Sequence, residues 1–283
     1  MPKKQPQKRR PPGGPPLMWE LSTDLEQEWL DKFRNDGACA VLCGVRGAGK
    51  SLMALSFIRT CMERRIYDTY WCVIPAYQYE QKNSYGWMDE MVKQSGCKCT
   101  VFSAFSDEVA EHIIEQQLRD QKKKSILFLD DASSMRRLFQ RSGDVRDPLN
   151  AILTQSRHLR ISSMICLHSL KSTIHPTIRM NCTFLVLFDI GSKKLLEHVH
   201  EEFTSLVCPS FDDFLEMFMF HLRSRTWGCI CFSTSREKNH DVDCLDWPII
   251  AKSRDKILAH IKENANSNRV PAPPRREQDD DDE

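Results

Sequence analysis

The stretch Gly44-Val45-Arg46-Gly47-Ala48-Gly49-Lys50-Ser51 satisfies G-x-x-x-x-G-K-[ST] at every fixed position. Few short motifs constrain a fold so tightly, because this one works only between a buried strand and the start of a helix. Both flanks fit. Ala38 to Cys43 is a short apolar run with strand character, and from Leu52 to Met62 the positions Leu52, Leu55, Ile58 and Arg59 recur at helical spacing. Glycines at 44, 47 and 49 admit backbone angles and close approaches that a Cβ forbids, so successive N–H groups can converge on phosphate oxygens. The opening helix adds the positive end of its dipole. The pattern implies a nucleoside triphosphate held by residues 44–51, with Lys50 at the β/γ-phosphates and the Ser51 hydroxyl on Mg²⁺.

Further along, predicted strands and helices alternate. Thr69 to Pro75 and Thr100 to Phe102 read as strands, with a short helix around Trp87 to Val92 between them. Asp107 to Gln121 reads as a helix with Val109, Ile113, Ile114 and Leu118 on one face. Ser125 to Leu129 is uninterrupted apolar sequence, as in a strand covered on both faces, and it ends at Asp130-Asp131. Asp147 and Pro148 form an N-cap and first helical position. Ser162–Leu167 and Thr183–Phe188 are two more apolar strands, Ser192–Phe203 and Asp212–Arg225 look helical, and Trp227–Ser233 is read as the last strand. Such alternation predicts an α/β fold with a mostly parallel central sheet flanked by helices. Two predicted strands lie between the loop strand and the Asp130 strand, a feature of P-loop NTPases with an additional strand. At the carboxyl edge of such a sheet, where ligands bind, Asp130 is a carboxylate at or behind the Mg²⁺ and Asp131 the candidate for polarising water.

The two ends differ from the middle. Residues 1–17 are basic and proline-rich, suited to DNA contact, nuclear import or plain solubility, and 266–283 pass from prolines into the acidic run Asp279 to Glu283. Neither has the apolar content to offset ordering entropy, so both are expected as disordered tails around an ATPase domain at 18–265. Net charge is only +1, so overall electrostatics single out no partner. No secretory leader precedes the twelve cysteines, several of which stand inside apolar strands, so a reducing compartment is expected. Cys97-x-Cys99 and Cys229-x-Cys231 have alternate-residue spacing rather than the paired C-x₂-C of zinc sites. No apolar run approaches the ~20 residues that cross a bilayer, so no membrane partner is expected.

The loop, the Leu129-Asp130-Asp131 strand end and the segment from Gln155 to Phe188 together resemble the genome-packaging ATPases of large eukaryotic DNA viruses, in the FtsK/HerA superfamily of DNA-pumping motors. Most of the likeness is in Ser156-Arg157-His158-Leu159-Arg160-Ile161-Ser162 before one apolar strand, and Ile174-His175-Pro176-Thr177-Ile178-Arg179-Met180-Asn181-Cys182 before the next. The resemblance covers roughly 37–188. It implies a polar sensor at the end of the first of these strands, where His168 stands in place of the usual Gln, and Asp131 in place of the usual Glu. It also implies an arginine finger, with Arg179 first, in a turn at the sheet's carboxyl edge, and Arg157 second. A finger commonly acts across a subunit boundary and contributes about 10³–10⁵ in rate.

By the same resemblance the expected function is ATP-driven translocation of double-stranded DNA into a capsid. The expected partners are DNA, capsid or portal proteins, and further copies of the chain in a pentameric or hexameric ring. The expected location is the host cytoplasm or nucleus at the site of assembly, or the virion. Arg136, Arg137, Arg141 and Arg146, with Gly143 as a turn, are candidates for a DNA-gripping loop, followed by Lys171, Lys193 and Lys194. The tyrosines from Tyr77 to Tyr85 are candidates for stacking on a base. Rival readings are another DNA pump or remodeller, and a nucleotide-dependent assembly protein that hydrolyses little. A nucleoside kinase fits least, since no lid-like arginine cluster is evident.

Overall fold

Cys39–Cys43 (β1), Ser125–Leu129 (β4) and Ile161–Leu167 (β5) are buried at every residue. Only strands in the middle of a sheet, covered on both faces, have that pattern. The computed structural model of the chain describes residues 24–35, 37–80, 85–132, 135, 147–170, 176–205, 209–224, 228–233, 242–246 and 249–252. The expected tails at 1–17 and 266–283, the arginines at 136, 137, 141 and 146, Gly143 and Lys171 lie outside these residues.

The other elements are α1 (Asp24–Asn35), α2 (Lys50–Glu63), β2 (Thr69–Val73), α3 (Ala76–Glu80), α4 (Met88–Ser95), β3 (Lys98–Phe102), α5 (Asp107–Arg119), α6 (Pro148–Thr154) and α7 (Ser156–Leu159). Then follow α8 (Pro176–Met180), β6 (Phe184–Leu187), α9 (Lys193–Val199) running into a π-helical turn at His200–Thr204, α10 (Phe211–Ser224), β7 (Cys229–Ser233), β8 (Val242–Asp246) and β9 (Ile249–Lys252). They form one sheet in the order β3-β2-β4-β5-β1-β6-β7-β8-β9, parallel from β3 to β6 and antiparallel beyond. Among the described residues no helix is long and apolar enough to cross a membrane.

The expected mostly parallel α/β sheet is present, with three differences of detail. Two strands, β2 and β3, do separate β1 from β4 along the chain, but in the sheet they lie beyond β4, and the later β5 stands between β1 and β4. β7 is not the last strand, because two antiparallel strands continue the sheet; Asp243 and Asp246 interrupt the apolar run that identifies a central strand. The expected helix from Ser192 leaves α-geometry after Val199.

Side chains alternate between two cores. Leu127 and Leu129 join Val41, Ile165 and Leu185 on the face covered by α5, α6, α9 and α10. Ile126 and Phe128 join Ala40, Leu42 and Met164 on the face covered by α1, α2 and α4. α1, which is not among the elements expected from sequence, places Trp29 and Phe33 against Phe184 with ring centroids 4.8 and 6.0 Å away. The expected cap at Asp147 is formed: its side chain accepts from the N–H groups of Leu149 (3.0 Å) and Asn150 (3.4 Å).

Candidate nucleotide-binding and hydrolysis site

β1 ends at Cys43, and the loop that follows hangs from its neighbours on both sides. The Gly44 N–H donates to Leu167 O at the end of β5 (3.1 Å), and the Val45 N–H to Asp189 O just beyond β6 (2.6 Å). A Cβ at Gly44 would stand 2.6 Å from the Phe188 Cβ, so only glycine fits there. Gly47 and Gly49 turn the chain with φ of +78° and +102°, and α2 starts at Lys50. Val45, Arg46 and Gly47 are exposed, with Ala48 and Gly49 half-buried.

Lys50 is only 6% exposed. Its ammonium donates to the carbonyls of Gly44 and Val45, both at 2.8 Å, and stands 3.3 Å from His168 Nδ1. Burial lowers its pKa, and the charges of Asp130 and Asp131 partly oppose that. The Ser51 hydroxyl donates to Asp130 Oδ1 at 2.8 Å. These two hard oxygen ligands, side by side at the start of α2, fit Mg²⁺, whose remaining positions are normally taken by phosphate oxygens and water.

Asp130 is 1% exposed and heavily donated to. Besides Ser51, its Oδ1 receives the Asp131 N–H (3.0 Å) and its Oδ2 the Tyr85 hydroxyl. Burial and the Asp130 charge push the Tyr85 phenol far up, so it remains a donor. Asp131 turns out of β4 with φ +47°. That left-handed conformation costs an L-residue roughly 1–2 kcal/mol. Its Oδ1 meets His168 Nε2 at 2.9 Å, and its Oδ2 accepts from the Tyr77 hydroxyl (3.2 Å) and Gln78 Nε2 (3.4 Å). Gln78 Oε1 in turn lies 3.3 Å from the Tyr85 hydroxyl.

Lys50, Ser51, Asp130, Asp131 and His168 therefore gather where β1, β4 and β5 end side by side. Tyr77 and Gln78 join them, because β2 pairs with β4 and delivers α3 to the same edge, as does Tyr85, three residues before α4. From sequence these tyrosines are candidates for stacking on a base; the structure places the Tyr77 and Tyr85 hydroxyls on the two carboxylates. The only hint in the chain was a polar, tyrosine-bearing segment directly after a strand.

Arg157 and Arg179 are not part of this cluster. Arg157, exposed in α7, precedes the start of β5, and its backbone packs on Gly37 ahead of β1. It lines a cavity of about 330 Å³ with Lys32, His158 and Asn181. Arg179 lies in a short helix rather than a turn, four residues before Thr183, whose N–H donates to Cys39 O at the start of β1 (2.7 Å). Both arginines thus stand toward the sheet's amino edge, and for Arg179 the expected carboxyl edge is corrected. The reason is topological: the connection from β5 must return to the amino edge before β6 can run parallel to it. Arg179 is paired there with Glu202 of the π-helical turn. Lys193 and Lys194 are exposed at the start of α9.

Neither protein-family models nor curated protein sequences match the chain. Solved structures do. The genome packaging NTPase B204 from Sulfolobus turreted icosahedral virus 2 in complex with ATP-gammaS aligns with a TM-score of 0.53 at 10% identity, over 76% of this chain and 99% of that one. Its complex with AMP gives 0.54 at 13% identity, over 76% and 99%. B204, the DNA-packaging ATPase from Sulfolobus turreted icosahedral virus, gives 0.52 at 11% identity, over 77% and 98%. This chain therefore has the fold of a P-loop NTPase with an additional strand between the loop strand and the acidic strand.

Proposed function

We propose that the chain is a Mg²⁺-dependent ATPase that translocates double-stranded DNA, packaging a viral genome into its capsid. The observation that carries the ATPase part is the convergence of Lys50, the Ser51–Asp130 pair and the Asp131–His168 pair on three adjacent strand ends. Lys50 and the loop amides bind the phosphates, and Ser51 and Asp130 hold the metal, which when bound neutralises phosphate charge. The packaging part is supported by the fold likeness to B204, spanning nearly all of that protein, and by the family motifs around Arg157 and Arg179.

A ring of five or six copies is part of this reading, and the place of the two arginines supports contact between copies. Arg157 and Arg179 are at the edge of the sheet opposite their own loop, so each reaches phosphates only on another copy packed head to tail. Arg179 must then exchange Glu202 for a γ-phosphate. DNA and a capsid or portal protein complete the assembly, inside the infected cell or in the virion.

The test is ATP turnover with and without long duplex DNA on material sized by light scattering. Arg179→Ala should bind ATP and hydrolyse it poorly; Lys50→Ala should not hydrolyse at all. Mixed, the two should regain activity at hybrid interfaces that join an intact loop to an intact finger, increasingly so at higher protein concentration. Hybrid rings that stay inactive eliminate Arg179 as a trans finger, and Arg157 is then tested the same way.

A further inference from the structure

His168 sits between Lys50 and Asp131, and its two ring nitrogens are not equivalent. An ammonium has only donors, so the nitrogen facing Lys50 at 3.3 Å, Nδ1, accepts. The ring proton is then on Nε2, which donates to Asp131 Oδ1 at 2.9 Å. Asp131 Oδ2 is occupied from the other side by Tyr77 and Gln78. Both carboxylate oxygens are thus engaged by donors other than Lys50, whereas the Nδ1 lone pair is held by Lys50, the group that marks the β/γ-phosphate position. Solvent access runs the same way, with the His168 side chain 39% exposed and Asp131 20%.

We propose that His168, not Asp131, accepts the proton of the lytic water, and that Asp131 is the positioning residue that holds the imidazole in its working tautomer. The inference rests on the ATPase reading above. When ATP draws Lys50 onto its phosphates, Nδ1 is released to a water beside the γ-phosphate. The water oxygen forms a bond to γ-phosphorus as the bond from γ-phosphorus to the β–γ bridging oxygen breaks. That oxygen leaves with the electron pair on ADP, and the water proton passes to Nδ1. The resulting imidazolium is flanked by Asp131 and the product phosphate, and it returns the proton to solvent. Tyr77 and Gln78 prevent a short aspartate on a strained backbone from swinging away from Nε2. The charged groups in hydrogen-bond range of the ring are Lys50 and Asp131, and Asp130, Asp131 and Cys166 all act on the Lys50 charge.

The experiment compares the wild-type full chain with Lys50→Ala, His168→Ala, His168→Gln, Asp131→Asn and the double variant His168→Ala/Asp131→Asn. It measures kcat, KM for ATP, and equilibrium binding of a fluorescent ATP analogue. Removing His168 should lower kcat by about 10²–10⁴-fold with binding nearly unchanged. Added imidazole should restore part of the rate in proportion to its unprotonated form. A glutamine can hydrogen-bond water and phosphate but cannot take up a proton, so His168→Gln should be as slow as His168→Ala. The double variant should be no slower than His168→Ala, since Asp131 acts through the ring. An active His168→Gln, a His168→Ala that imidazole does not revive, or losses that multiply in the double variant would each overturn the dyad. A wild-type chain without turnover, or a Lys50→Ala variant with normal turnover, would instead sink the ATPase reading itself.

Discussion

Gly44→Ala isolates one steric contact at the base of the phosphate loop. The added methyl would lie 2.6 Å from the Phe188 Cβ and 3.0 Å from Asp189 O. Optimal carbon–carbon separations are about 3.5–4.0 Å, so the overlap is close to an ångström. The Phe188 Cβ is not the free end of a flexible chain, and its ring is buried at 1% exposure, so backbone must move. Overpacking of this kind costs about 1–3 kcal/mol, or roughly 2–12 °C in Tm for a domain of this size. The same shift spoils the hydrogen bond from Val45 to Asp189 and the alignment of the amides that follow, so ATP should stabilise the variant less than it stabilises the wild type. Gly47→Ala is the contrast. Nothing lies within 4 Å of its added Cβ, and its cost is conformational, from φ +78°, at roughly 1–2 kcal/mol. Differential scanning fluorimetry across an ATP titration reads both terms. If Gly44→Ala melts with the wild type and gains the same stabilisation from ATP, the packing of β1 against the end of β6 is not what makes glycine obligatory there.

Three more outcomes are expected. Asp147→Ala removes the cap of α6 and should lower stability by about 0.5–2 kcal/mol in urea denaturation, with ATP binding retained. Tyr85→Phe leaves Asp130 Oδ2 buried without its hydroxyl donor, which should cost about 1–3 kcal/mol in the nucleotide-free protein; a Tm equal to wild type would refute the contact. Burial pushes the thiols of Cys39 and Cys43 from 9.0 up to about 12, so these groups ionise first in the unfolded chain. The stability they contribute is complete below pH 9 and lost as pH rises toward 12, at about 1.4 kcal/mol per pH unit for each thiol, and a urea midpoint that stays flat over that range would contradict it.

What the sequence made legible was whatever depends on local pattern. Ser125–Leu129 was readable residue for residue, because a strand buried on both faces needs an unbroken apolar run. The loop, its helix and the Asp147 cap were readable for similar reasons. α1 went unassigned although Trp29, Leu30 and Phe33 are helically spaced, because its polar residues and charged flanks mask a short apolar stripe. α8 is five residues long, too short for periodicity to register. In the site, residue identity was legible but pairing was not. Tyr77 meets Asp131 across 54 residues and Arg179 meets Glu202 across 23, and both contacts exist only because of strand order. Which oxygen of Asp131 faces which donor has no signature in the chain at all.

One connection near the loop has a mechanical consequence. The segment that receives the Val45 N–H at Asp189 passes within a few residues into α9, whose π-helical end presents Glu202 to Arg179. The rod from Lys193 to Thr204 is about 18 Å long at 1.5 Å per residue. Its near end is tied to the strand that carries the phosphate loop, and its far end grips an arginine at the opposite rim of the sheet. Tilting that rod as the loop closes on a triphosphate would load or slacken the grip without unfolding anything between. In the ring proposed above, a copy whose loop is filled would then present a differently held arginine to its neighbour than a copy whose loop is empty, an asymmetry by which subunits would fire in sequence.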